Sequence, residues 1–255
     1  MKKRSLQMLA AGSLLAASVG QALAVNVAGL EIPLGAAFSA GQIYTNVPTA
    51  IGGELKGYGK IDSFNSEAVG DLCGNCELTY VFDGYSLSSI DASGVNFTGG
   101  SVRVYMGMGA DKDFSTQDPG SSVADDMMEA SNGTLWLTLK GHAIDGTGNT
   151  FRSIGQNVGT TAFTGHGAGL LDVDTTAGGN ANAFFDSNTV PASFGGGAAD
   201  FYIGSSFNGV NPPYPDTLRG SMDLNTTAVP EPQTYALMLS ALGLIGYVVN
   251  RRRRT

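Results

Sequence analysis

The chain has 255 residues, 42% hydrophobic and only 14% charged, with 37 glycines, nine prolines and a formal charge of −8. Glycine is about twice as common as the ~7% usual in globular proteins, and charged residues fall well below the ~25% norm. With no Gly-X-Y period, too few Glu, Lys and Arg for a long coiled coil and an acidic balance, the chain is not collagen, a coiled-coil rod or a nucleic-acid binder. What remains is a glycine-punctuated, mostly β protein.

The first 24 residues read as a secretory signal peptide. Lys2, Lys3 and Arg4 form its basic start, an apolar stretch runs from Leu6 to Val19, and Ala22-Leu23-Ala24 offers the small residues that signal peptidase reads. Cleavage is expected before Val25, leaving an exported domain from 25 to 228. That segment holds seven basic and twenty-one acidic residues, a net charge of −14, so the two ends mask a strongly acidic middle. Such an acidic, lysine-poor surface suits a soluble extracellular domain.

Within this segment the dominant pattern has a period of two. Leu78, Tyr80 and Phe82 share one face of a strand; Val102, Val104 and Met106 share another; Leu135, Leu137 and Leu139 alternate with Trp136 and Thr138. Further strands are expected over 36–44, 54–64, 162–173, 181–185, 199–206 and 218–224. Turn signals such as Gly52-Gly53, Asp83-Gly84, Asn132-Gly133 and Gly178-Gly179 separate them, and the glycine excess is assigned to these turns. Only 121–130 reads as helical, with Ser122 as N-cap and Asp125 and Asp126 in the first turn. Nine or ten short strands predict an all-β domain, an antiparallel two-sheet sandwich of jelly-roll type.

Four readings compete at the only cysteines, Cys73 and Cys76. Haem attachment needs histidine after the second cysteine, where Glu77 stands. Zinc needs two further ligands, with His142 and His166 the only histidines to help. A thioredoxin-like pair needs a helix starting at the motif. A small-loop disulfide fits an exported chain best.

Other chemistry is sparsely signalled. Asp111 and Asp113 alternate like calcium ligands, but Thr116 and Ser122 replace the glycine and glutamate of an EF-hand, so only a weak calcium site competes with a solvated acidic turn. No other metal and no cofactor is expected. Trp136 points away from Leu135, Leu137 and Leu139, which makes it, with Tyr105, a candidate platform for a glycan; the competing reading packs Trp136 under a loop. His166 stands exposed between two glycines, and no Gly-x-Ser-x-Gly elbow accompanies either histidine. No enzyme activity is expected.

The C-terminal tail is the most specific feature. Val229-Pro230-Glu231-Pro232 precedes a fifteen-residue apolar run, 235–249, and four consecutive arginines, Arg251, Arg252, Arg253 and Arg254. The run predicts a single transmembrane helix of about 22 Å, short for a ~30 Å hydrocarbon core unless the arginines snorkel, and those arginines stay on the cytoplasmic side. Together these parts resemble the PEP-CTERM sorting signal of Gram-negative bacteria. The resemblance implies that an exosortase recognises the tail and cleaves near the motif, after transient anchoring in the inner membrane, and that the protein ends at the cell surface or in the matrix. It also implies an association with exopolysaccharide and biofilm. The leading expectation is a non-catalytic surface or matrix protein. A lectin-like polysaccharide-binding module and a matrix-acting hydrolase are the alternatives.

Overall fold

The computed structural model describes residues 24–33, 37–92, 94–116, 122–191, 197–209, 217–226, 239–243 and 245. A hairpin of β1 (Ala24–Val27) and β2 (Leu30–Pro33) leads into β3 (Ala37–Asn46), β4 (Glu54–Phe64) and the two-residue β5 (Glu67–Ala68). Two long strands follow, β6 (Glu77–Ile90) and β7 (Gly94–Gly107), then β8 (Thr134–His142), β9 (Asn149–Gln156) and β10 (Thr164–Val173). The short β11 (Val190–Pro191) and β12 (Ala198–Ala199) pair with each other before β13 (Phe201–Asn208) and β14 (Thr217–Thr226).

The domain is mostly β, as its alternation predicts, but the expected pair of packed sheets is instead one sheet closed on itself. Strands run in the order β13-β14-β3-β4-β6-β7-β8-β10, and β10 pairs back onto β13 from Thr164↔Asn208 to Leu171↔Phe201. The result is an eight-stranded antiparallel barrel, whose closure removes the exposed edges that an open sheet must protect. One stave is shared. β7 pairs with β8 through Ser101–Met106 and with β9 through Gly94–Thr98, while β10 does the same from the other side. Residues 143–148 are therefore an excursion that leaves the wall and returns to the same slot.

An eight-stranded barrel is just wide enough for its own side chains to fill it. Here the filling is aromatic, and it depends on glycines facing inward. A Cβ on Gly57 would lie 2.6 Å from the Phe82 ring and 1.9 Å from the Tyr44 carbonyl oxygen. On Gly59 it would meet Tyr80, on Gly165 Phe163 and on Gly167 Phe151, all within 2.6 Å. The glycine excess thus has two uses. Some positions are turns with positive φ, such as Gly52 and Gly148, and others are recesses in the wall that admit rings. The packed interior leaves voids of only about 40 and 20 Å³. The smaller is lined by Tyr85 and Ser205, whose hydroxyls have no hydrogen-bond partner. Burial, with a contribution from the Asp83 carboxylate, pushes the Tyr85 phenol above its ordinary pKa.

Parity fails at Trp136. Val104 pairs with Leu137 but Tyr105 pairs with Leu135, so Trp136 is the extra residue of a β-bulge. A bulge brings two successive side chains to the same face. Trp136 and Leu137 are accordingly 1% and 0% exposed in the same core cluster, while Leu135 is only half-buried. The Trp136 ring meets Phe64 and Phe185 edge-on at 6.4 and 5.6 Å, and its Nε1 donates to the Val27 carbonyl at 3.3 Å.

The stretch expected as a strand at 181–185 is a helical turn, Asn182–Phe185. Asn182 holds it there, its Oδ1 accepting from Thr138 N at 3.0 Å and its Nδ2 donating to the Asp174 and Gly178 carbonyls. The helix expected near Ser122 spans Val123–Glu129, with a capping box between Ser122 and Asp125. It covers Tyr44, Tyr58 and Val81 on the outside of the wall, and Tyr58 Oη donates to the buried Asp126 carboxylate at 2.8 Å.

Two substitutions test this packing. Gly57→Ala is expected to lower stability by about 3 kcal/mol, read by denaturant unfolding, because backbone as well as ring must move. Tyr85→Phe removes an unsatisfied buried hydroxyl and is expected to raise stability by about 1 kcal/mol.

Candidate functional site

The last stave of the barrel ends at a defined pole. β14 ends at Thr226, whose Oγ1 donates to the Asp200 carbonyl at 2.8 Å, and Val229 follows three positions later. The buried Asp200 carboxylate accepts from the backbone amides of Val173, Ser187 and Asn188 at 2.8, 2.6 and 2.6 Å. Thr226 pairs with Phe201, Phe201 packs on Phe185, Phe185 on Trp136, and Trp136 bonds to Val27 of the first hairpin. Both ends of the barrel sequence therefore meet at one pole.

Ala24 and Val25, at the expected cleavage point, open β1. Val27, Leu30 and Ile32 are fully buried, so the hairpin they form is part of the core. Its turn is tight, with Ala28 and Gly29 both at positive φ, 48° and 101°. Ala22 lies outside the described residues, and so does the expected sorting motif: Val229, Pro230, Glu231 and Pro232, with Arg251, Arg252, Arg253 and Arg254. Most of the expected transmembrane run lies outside them as well. Within that run 239–243 and 245 are helical, with Leu239, Leu242 and Ile245 exposed. No helix among the described residues is long and apolar enough to cross a membrane.

Cys73 and Cys76 are joined by a disulfide. It ties the end of a one-turn helix, Val69–Leu72, to the start of β6, and Val69, Leu72 and Cys76 are all buried. The helix ends at the motif rather than starting there, the opposite of the arrangement that stabilises a reactive thiolate. Glu77, in the position a haem-binding histidine would take, is 3% exposed, pairs with Lys60 at 2.7 Å and accepts from Phe114 N at 3.1 Å.

The glycan platform expected at Trp136 and Tyr105 does not form. Trp136 lies in the barrel core, while Tyr105 packs outside it against the Tyr44, Tyr58 and Val81 cluster. The bulge is the physical reason, and no residue type in the strand announces it. Asp111 and Asp113 are exposed, and Asp113 Oδ1 accepts from Asn132 at 2.9 Å. No group of three or more His, Cys, Asp or Glu among the described residues is placed to hold a metal ion. His142 faces Asp172 at 2.9 Å on the outer wall.

His166 belongs to a large concavity that strand pairing builds outside the barrel, a trough of about 560 Å³ across β9, β10 and β13. Ala168 floors it, between Arg152 on β9 and Gly204 on β13. Ile154 and His166 stand at one end; Tyr202 and the Ile144-Asp145 loop stand at the other. The Thr147 hydroxyl and amide, with Asn149, hold the Asp145 carboxyl below the usual carboxylate range. Arg152 and Tyr202 carry no sequence signal, because three strands distant in sequence must pair before the trough exists.

Comparison with known proteins finds a sorting motif in the tail. Residues 228–254 match the family model of the PEP-CTERM protein-sorting motif, a span that takes in Val229 to Pro232 and all four arginines, Arg251, Arg252, Arg253 and Arg254. The chain thus carries a PEP-CTERM sorting motif, and the match covers the tail rather than the barrel. That motif marks an exported protein processed by an exosortase after transient membrane anchoring. No match to this chain was found among curated proteins or solved structures.

If the disulfide acts only as a staple, Cys73→Ser/Cys76→Ser should lower stability by about 2 kcal/mol, the value for so short a loop. Reductant should shift the wild-type unfolding curve similarly and leave that of the double variant unchanged.

Proposed function

We propose that this protein is a non-catalytic component of the cell surface or extracellular matrix of a Gram-negative bacterium, associated there with exopolysaccharide. The signal peptide directs export and is cut before Val25; the apolar run 235–249 then spans the inner membrane as a helix with Arg251, Arg252, Arg253 and Arg254 on the cytoplasmic side. Exosortase supplies the chemistry, and the barrel is the cargo. One observation carries the reading: a recognised sorting motif begins two residues after the last hydrogen-bonded stave of a closed, fully packed barrel.

That spacing has a mechanical consequence. With Thr226 held between Phe201 and the wall, little free chain separates the barrel from the motif, so the pole carrying Trp136 and the first hairpin faces the membrane during sorting. The opposite pole and the whole outer wall face away.

Mass spectrometry of the mature protein tests the reading. Its N-terminus should be Val25 and its C-terminus should fall at or beside Val229–Pro232. Deletion of 229–255 should leave a barrel whose signal peptide is cut but which is soluble in the periplasm, without membrane anchorage. Membrane association of that variant equal to the full chain's, or a mature wild-type C-terminus that still carries Arg251 to Arg254, would overturn the proposal.

A further inference from the structure

The trough on the outer wall has the dimensions and lining of a binding site, at about 560 Å³ against the 300–1,000 Å³ usual for small-ligand sites. Three features define what it would hold. Tyr202 and Ile154 supply apolar surface, with Tyr202 backed by the buried Ile144 and Leu170, and Ile154 is 51% exposed for a large aliphatic residue on a strand. The guanidinium of Arg152 and the imidazole of His166 have no partner among the described residues, so their donors are available. Most of the domain's other cations are engaged, Lys56 with Glu54, Lys60 with Glu77, Arg103 with Asp83 and Lys112 with Asn75. Asp145 adds an ionised acceptor, so the lining balances one cation against one anion.

From this lining we infer that the trough binds a neutral polysaccharide. Sugar rings present apolar C–H faces, which the Tyr202 ring and Ile154 match, and hydroxyls that both donate and accept, which Arg152, His166 and Asp145 match. The choice of a neutral polymer follows from charge. A domain at −14 repels a polyanion over distances at which a single arginine cannot compensate, whereas an uncharged chain meets no such field. Small residues make the contact feasible: with Ala168 and Gly204 side by side, nothing stands between the Tyr202 ring and His166 along the floor. The inference rests on the matrix reading above, but it is read out separately from sorting.

Affinity electrophoresis of the full chain in mild detergent, through gels containing laminarin, dextran or alginate, tests it. A neutral glucan, laminarin or dextran, should retard the wild type. Tyr202→Ala should weaken retardation about tenfold and Arg152→Ala about threefold, and Met128→Ala, exposed on the remote helix, should change nothing. All three side chains are at least partly exposed, so melting temperatures should stay within a degree or two. Retardation by alginate alone, by neither neutral glucan, or equally for wild type and Tyr202→Ala would overturn the inference while leaving processing at the sorting motif intact.

Discussion

Everything in this domain depends on the closure of the sheet between β10 and β13 and on what closure demands of the interior. A closed eight-stranded wall has a set radius and cannot splay to accommodate a bulky side chain. Many of the aromatic rings therefore lie where the wall beside them offers glycine. Phe82 and Tyr80 lie over Gly57 and Gly59, and Phe151 and Phe163 lie over Gly167 and Gly165. The same glycines that weaken a strand in isolation make this barrel close-packed, because the ring fills the space the missing side chain leaves. The few polar atoms drawn inside follow the same logic: Tyr80 Oη reaches the Gln42 carbonyl at 3.2 Å, whereas Tyr85 Oη finds no partner.

Closure also decides where anything can happen. The interior voids lined by the described residues are about 40 and 20 Å³, while the larger trough lies on the outer wall. One pole is sealed by a single chain of contacts from Val27 through Trp136, Phe185 and Phe201 to Thr226. Val25, at the expected signal-peptidase site, and Thr226, where the last stave ends, both lie at that pole. A bulge that turns Trp136 inward thus joins the first hairpin to the end of the last stave.

Among the described residues, two apolar patches of the outer wall are covered. The helix Val123–Glu129 shields Tyr44, Tyr58 and Val81, and the β11–β12 segment shields Ile144 and Leu170. Between the second cover and the end of β9 lies the trough with Arg152, His166 and Tyr202. Its shallowness comes from Ala168 and Gly204, small residues on the outward face, just as the interior packing comes from glycines on the inward one. Strand β10, which reads Thr-Gly-His-Gly-Ala-Gly, serves both sides of the wall at once.

By itself the sequence determined the features that act locally. The sorting tail is legible because an exosortase reads a linear segment; the Ser122 cap, because its partner Asp125 is three residues away; the disulfide, because two residues separate its cysteines; and the strands 78–82 and 102–106, because unbroken alternation reports one buried face. Only the tertiary structure decided the rest. Whether a sheet splits into a sandwich or closes into a barrel depends on the register of β10 with β13, set across some thirty residues of chain. The face Trp136 occupies depends on a bulge against β7, and Phe185 turns into a helix because Asn182 bonds to Thr138 and Asp174. The trough joins Arg152, His166 and Tyr202 from three strands, and His166 alone stood out among its residues in the sequence. In each case the deciding partner lies outside the strand or turn concerned, where neither periodicity nor turn chemistry carries information.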